Sequence, residues 1–577
     1  MLQAFSDLHY TRPDFACLLD SFKHLNKLLD TVKKDKQKTI IEAYRDLSRQ
    51  FLEALSMVEL GRIRLAQDPD NEYLNQELTL ARERLDRAEA CYLQTFSLMA
   101  RKAMDFSEDR LENSAILNEA RRVARCYGQV QPELLRSEKD LVREYVSFMT
   151  NLHVSIVCDN ISDRISDQSF TSKNCKVYLA DVDNWLRQAR AEHRRKLYFE
   201  MAAKLKESAG QVTANFVQLT KTRREQAEIT GLDYYNFIHQ SQKGYGYSRE
   251  EVRKFKDNLK HYFLPIVQEI KHLRDERLND GDPYFYNQFK LAKRNPSDLL
   301  SGDQSLEQSV LKACENIFRD KDSYAFTIVR EGYWSGDPDL QRRLHKSVIL
   351  LPGWQILFIA LAFQQDRVSL DQDFIHMGQA LADLSGLTNL QDLASFKQSN
   401  LVRELSGLAM FFLAMRQSNI FCGEDSELFN DINFSNLLMR IPYDLAIDDF
   451  ETEIYRAGGQ RDLNFAGLWQ KQERKYSLNQ NYGQDGFFSE GNLWQTMDCL
   501  YEKPCQALDR VLALVCILAE RPHLDRRNSL EKKLNKLLTS NPDLTFIKRL
   551  EVSGFASPFD LNTMRRSAFA ACDILKL

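Results

Sequence analysis

The sequence predicts a mostly helical protein with a small β-sheet, and three observations carry that expectation. Only 22 glycines and 13 prolines occur in 577 residues, so few positions interrupt a helix. Apolar residues recur three and four apart along most of the chain. Two short runs alone read as β-prone, Val177-Tyr178-Leu179 and Ile356 to Phe363.

The first helical pattern, Asp14 to Leu29, follows Pro13 and places Phe15, Leu18, Leu19, Phe22, Leu25, Leu28 and Leu29 at helical spacing. Two long patterns from Gln37 to Met104 are split at Asp68-Pro69-Asp70-Asn71, which predicts antiparallel helices. Helices are expected at Arg110–Arg125 and Glu133–Met149, and turns or a short hairpin over Asp159–Leu179. Asp181 to Thr230 reads as one or two helices stopped by Gly231. Ser248 and Glu251 form a capping box opening the next helix, and Gly244-x-Gly246 before it reads as a turn, because it lacks phosphate-loop spacing. A helix is expected over Gln304–Phe318, a loop at Tyr333-Trp334, and a buried strand at Ile356–Phe363. The helices beyond it run through Met377, Met410 and Trp469, and a last long one over Trp494–Ala519.

Composition narrows the function classes. A net charge of −4 provides no global basic field, which argues against nucleic acid as partner, and Arg187–Arg195 reads as a solvated helix face. Eleven scattered cysteines without a CxxC pair suit reduced thiols, and Met1–Pro13 has no apolar targeting core. The longest uncharged run, Ser347–Gln365, is broken by Pro352, Gly353 and Gln355 and is too short to span a bilayer. A cytoplasmic protein without membrane association is expected.

The organising stretch is Asp373-Phe374-Ile375-His376-Met377-Gly378-Gln379, followed by Leu401-Val402-Arg403-Glu404-Leu405-Ser406. In an HExxH helix two histidines lie about 40° apart around the axis and share one zinc, the glutamate activates the bound water, and a later helix supplies a third ligand. Here that frame reads Ile375-His376-x-x-Gln379, and none of the ten histidines forms an HxxxH pair. Isoleucine has no lone pair and glutamine is a weak ligand.

Several segments resemble the oligoendopeptidase F branch of the thimet-oligopeptidase family of zinc metallopeptidases. They are Tyr10-Thr11-Arg12-Pro13-Asp14, Gln218 to Arg223, Gly231 to Phe237, Tyr247 to Val252, Pro442 to Phe450 with Tyr455, Trp494-Gln495 and Ser557-Pro558-Phe559. They span nearly the whole chain in family order. The resemblance implies a two-lobed helical body around a channel, with an N-terminal helical lobe (1–180) and an oligopeptidase-like lobe (181–577). It also implies a small sheet whose edge strand binds extended peptides, which would place Ile356, Phe358, Ala360 and Ala362 against a peptide.

The same resemblance places the family's chemical residues on substitutions. The first histidine, the glutamate and the second histidine fall on Ile375, His376 and Gln379. The third ligand falls on Arg403, or on Glu404 after a one-residue slip. Arg403 in that place would hold a peptide carboxylate or pair with Asp373, Glu404 or another acid. Of the transition-state histidines, one falls on Cys499 and another near Thr452, while the tyrosine region reads Gln506 to Arg510. Cys499 beside Arg510 reads as a buried free thiol or, with an activated thiolate, a nucleophile. The expected protein is therefore a catalytically inactive oligopeptidase-like chain that uses no metal cofactor and binds a peptide or protein partner in its channel. The alternatives are an active zinc oligoendopeptidase with an atypical site, and a structural paralogue that assembles with itself or another chain.

Overall fold

The computed structural model describes residues 5, 8–31, 37–102, 114–158, 173–189, 191–241, 245–278, 284–288, 290–292, 296, 306–318, 329–335, 337, 340, 343–344, 347–360, 370–390, 398–457, 463–478, 480–521, 529–541 and 544–577. The first apolar pattern forms the helix Phe15–Thr31, whose buried face carries Phe15, Leu18, Phe22, Leu25 and Leu29. Helices Gln37–Gln67 and Glu72–Lys102 flank the expected break at Asp68–Asn71. With Ser114–Tyr127 they enclose an apolar cluster of their own, which includes Tyr44, Phe51, Phe96 and Val123. Burying each such side chain contributes about 1.5–3 kcal/mol.

Helix Pro132–Asn151 leads into an antiparallel strand pair, β1 (His153–Cys158) and β2 (Lys173–Tyr178), with His153 opposite Tyr178, while residues 159–172 of the expected turn region lie outside the described residues. Asp181–Thr230 becomes two helices, Val182–Gln188 and the 39-residue Ala191–Ile229. The longer one stops before Gly231, whose φ of 74° ends helical geometry. The capping box is formed: Glu251 N donates to Ser248 Oγ at 3.2 Å and Ser248 N to Glu251 Oε2 at 2.7 Å. Gly244 lies outside the described residues.

Two expectations fail in this region and beyond. Tyr333-Trp334 is not a loop but part of a strand, β3 (Tyr333–Ser335), held by Phe5, whose ring stacks 4.3 Å from that of Tyr333. The long helix expected at Trp494–Ala519 is three pieces, Leu493–Thr496, Cys499–Glu502 and Ala507–Leu518. Pro504 has no N–H to donate, and Cys505 adopts φ 56° and donates its N–H to Glu451 instead of to a helical carbonyl.

The second sheet has the order β3, β5 (Ile356–Ala360), β4 (Val348–Leu351). β5 pairs in parallel with β3 through Phe358–Ala360 and antiparallel with β4 through Ile356–Ile359. This corrects the expected peptide-binding edge: Ile356, Phe358 and Ala360 belong to the middle strand, are buried, and have ladder partners. Leu361–Phe363, including Ala362, lie outside the described residues. The β4–β5 turn is seated on helix Gln37–Gln67 through Gly353, where a Cβ would lie 2.8 Å from the Glu53 backbone. Gly353 N also donates to Ser56 Oγ at 2.7 Å.

After β5 come helices Leu370–Leu390 and Asn400–Met415, then Ser426–Met439, Ile441–Arg456 and Phe465–Lys475, and finally Ser529–Thr539, Phe546–Ser553 and Leu561–Leu575. The main apolar core runs from Leu52 and Tyr145 to Ala571 and encloses both helices that follow the sheet. Among the described residues no helix is long and apolar enough to cross a membrane.

Candidate functional site

The helices Leu370–Leu390 and Asn400–Met415 cross at two glycines. A Cβ on Gly378 would lie 2.4 Å from Ser406 O and 2.8 Å from Gly407 Cα, and one on Gly407 would lie 2.8 Å from Ile375 O. No larger residue fits, and that closeness brings the side chains flanking each glycine to within hydrogen-bonding reach across the pair. Ser399 caps the second helix by accepting from Val402 N. Every residue of Asn400–Met415 except Arg403 is buried.

On the faces that meet, Gln379 Nε2 donates to Glu404 Oε1 at 3.1 Å, with 7% and 4% of these residues exposed. Lys503 Nζ stands 3.7 Å from Glu404 Oε1, and Arg510 Nε stands 3.8 Å from Glu404 Oε2. Burial pushes the Glu404 carboxyl up, but Arg510, Lys503, Arg403 and Arg440 outweigh it and hold the group below the usual glutamate range. Ile375 is core, 3% exposed. His376 shares a 2.7 Å hydrogen bond between Nδ1 and Ser347 Oγ. Arg403 turns to Asp383, one helical turn beyond Gln379, where Nε lies 3.1 Å from Oδ2 without hydrogen-bond alignment.

Part of the site is accessible to solvent, since Lys503 keeps 42% of its side chain exposed. Arg440 keeps 46% of its side chain exposed, and Asp183 on helix Val182–Gln188 is likewise exposed. Arg440 acts electrostatically on Asp183, while Arg187 and Arg510 act on Asp371, so helix Val182–Gln188 lies near the start of Leu370–Leu390 and near Arg440.

No sequence-family profile and no curated protein matches the chain. Solved structures do. A protein provisionally assigned as oligoendopeptidase F superposes with a TM-score of 0.82 at 17% identity, covering 100% of this chain and 99% of the other. PZ peptidase A with an inhibitor gives 0.81 at 17% identity over 99% of both chains. Oligoendopeptidase-F from Enterococcus faecium gives 0.62 at 10% identity, covering 97% of this chain and 96% of that one. The chain has the oligoendopeptidase F fold.

Placed on the oligoendopeptidase F fold, the donor set does not suit a zinc ion. Ile375 supplies no ligand atom, Gln379 turns its amide N–H toward Glu404, and Lys503 and Arg510 stand beside the one carboxylate. Among the described residues no group of three His, Cys, Asp or Glu side chains is placed to hold a metal. Of the two residues offered for the third-ligand place, Glu404 meets Gln379 and Arg403 does not. Cys499 is partly exposed, and burial followed by Asp498 pushes its thiol well above the usual cysteine range, which opposes a thiolate. Arg510, the cation that would have activated it, stands at Glu404.

Sequence reasoning missed Asn400, Arg440, Lys503 and the role of Asp509. The Asp509 carboxyl, pushed up to about 8 by burial, accepts from Tyr245 OH at 3.0 Å and Asn400 Nδ2 at 2.9 Å. The available signal was a charged pair, Asp509-Arg510, heading the apolar run Val511–Leu518. Lys503 carries no comparable signal, since a lysine before proline in a turn is ordinarily solvated.

Proposed function

We propose that this chain is a catalytically inactive oligopeptidase-like protein that binds a peptide or protein segment in its interior. The observation that carries this reading is the Gln379–Glu404 hydrogen bond. It joins the positions that correspond, by resemblance, to the second histidine and the third ligand, and gives each a hydrogen-bond partner in the other. Metal-activated water would need an open coordination position and a base beside it. His376, in the base position, is tied to the Ser347 hydroxyl instead. The exposed side chains of Arg440 and Asp183 near this pair support a binding role over a channel filled by side chains. The chain uses neither metal nor other cofactor in this reading and works in the cytoplasm.

The test is metal analysis of the purified protein together with an internally quenched peptide pool and a retention assay with the same pool. The expected result is no bound zinc, no cleavage, and retention of a subset of peptides. Stoichiometric zinc with chelator-sensitive cleavage would overturn inactivity, and a pool recovered wholly unbound would overturn peptide binding.

A further inference from the structure

Around Glu404 two cations lack a close hydrogen-bonding acid. Arg403 is matched by Asp383 at 3.1 Å, and Arg440 by Asp444 at 3.4 Å. Lys503 and Arg510 share Glu404, at 3.7 and 3.8 Å. Those separations exceed the roughly 2.7–2.9 Å of a charge-assisted hydrogen bond. Neither side chain donates a hydrogen bond to any described residue, although Lys503 offers three N–H groups and Arg510 five. Asp509, a nearby acid, takes its bonds from Tyr245 and Asn400, while Asp371 and Asp444 feel Arg510 without a hydrogen bond from it. Two cations thus face one carboxylate with most of their donors unused, 42% and 20% exposed, beside Arg440 at 46%.

We propose that Lys503 and Arg510, with Arg440 beside them, receive a carboxylate of a bound peptide at the place where Gln379 and Glu404 close the site. The proposal rests on the peptide-binding reading above and names the group recognised. A carboxylate adds one negative charge opposite the two cations that face Glu404, whereas a dianionic phosphate would add two beside that buried group. The Arg510 guanidinium can present two parallel N–H groups to the two oxygens, and Lys503 adds a point charge. Gln379 has a positioning role here: its amide holds Glu404 Oε1 and so keeps Glu404 from closing on the two cations.

The test uses the full chain and a fluorescently labelled mixed-sequence peptide pool in four forms: free acid, C-terminal amide, a version with Asn and Gln in place of Asp and Glu, and one with both changes. Lys503→Gln/Arg510→Gln and the charge-conserving Arg510→Lys are compared with the parent after circular dichroism confirms folding. The expected loss is about ten- to a hundred-fold in affinity for carboxylate-bearing peptides in the double variant, with a smaller loss for Arg510→Lys. The fully neutral pool should bind weakly and equally to all three proteins. An effect that disappears on amidation alone assigns the terminal carboxylate, and one that disappears with Asp and Glu assigns a side chain; both support the proposal. Equal binding of acid and neutral pools, unchanged by the variants, overturns the carboxylate receptor and leaves peptide binding standing. Stronger displacement by inorganic phosphate than by acetate at equal concentration also overturns it. Absence of binding by every pool overturns the underlying reading as well.

Discussion

Gln379 and Glu404 sit 25 positions apart in sequence and share a buried 3.1 Å hydrogen bond across the crossing of two helices. Under the proposed reading, this bond joins the positions where a zinc peptidase of this fold would present metal ligands. The bond exists because Gly378 and Gly407 let the helices approach to backbone contact.

That approach makes the crossing intolerant of a single methyl group. Gly378→Ala should destabilise the protein by about 1–3 kcal/mol, since the clash is with the Ser406 and Gly407 backbone and exceeds the gain in helix propensity. Gly210→Ala, in helix Ala191–Ile229 with open space around it, should instead stabilise by about 0.4–1 kcal/mol. Urea midpoints of the two variants against the parent check the pair.

Restoring ligands should restore metal affinity only in part. Ile375→His/Gln379→His places two imidazoles one turn apart opposite Glu404, and it should take up zinc in equilibrium dialysis where the parent does not. Adding Lys503→Gln/Arg510→Gln should tighten zinc further, because two cations near the carboxylate oppose a divalent ion. Equal affinity in both backgrounds would show that these cations do not act on the site.

Two buried acids contribute to the pH dependence of stability. Asp509 and Glu451 are each pushed up to about 8 by burial, against about 4 for the same groups in an unfolded chain. Between about pH 4 and 8 the folded state holds more protons than the unfolded one, so stability falls as pH rises through that window, by at most about 1.4 kcal/mol per unit and group. Asp509→Asn keeps an acceptor for Tyr245 and Asn400 and should flatten that slope, with its largest relative gain near pH 8. Thermal unfolding at a series of pH values reads the slope.

Arg223 holds the long helix to the broken segment near the site. Its side chain is 1% exposed, pairs with Glu138 at 2.7 Å, and donates to the carbonyls of Leu500 and Tyr501. Arg223→Ala should cost about 3–5 kcal/mol, because a carboxylate and two buried carbonyls lose their donor together. Arg223→Lys should fall between, since an ammonium cannot reproduce the fork. Chemical denaturation orders the three proteins.

Much of the fold was legible because helical burial is periodic and local. Phe15 to Leu29, the stop at Gly231 and the Ser248–Glu251 cap depend on neighbours within a few residues. The misreadings have non-local causes. Ile356–Ala360 looks the same in sequence whether it is an edge or a middle strand, and only pairing with Tyr333–Ser335 and Val348–Leu351 makes it central. The segment after Trp494 keeps helical spacing, yet Pro504 and the acceptor offered by Glu451 break it.

The sequence by itself determined that Ile375 and Gln379 stand one helical turn apart with Gly378 between them and that no HxxxH pair occurs, because identity and spacing along one helix need no partner. Whether Arg403 or Glu404 meets Gln379 was left to tertiary structure. The two are adjacent on one helix and about 100° apart around its axis, so the contact is decided by the rotation of that helix against its neighbour. The Gly378–Gly407 crossing sets that rotation, turning Glu404 inward and sending Arg403 to Asp383.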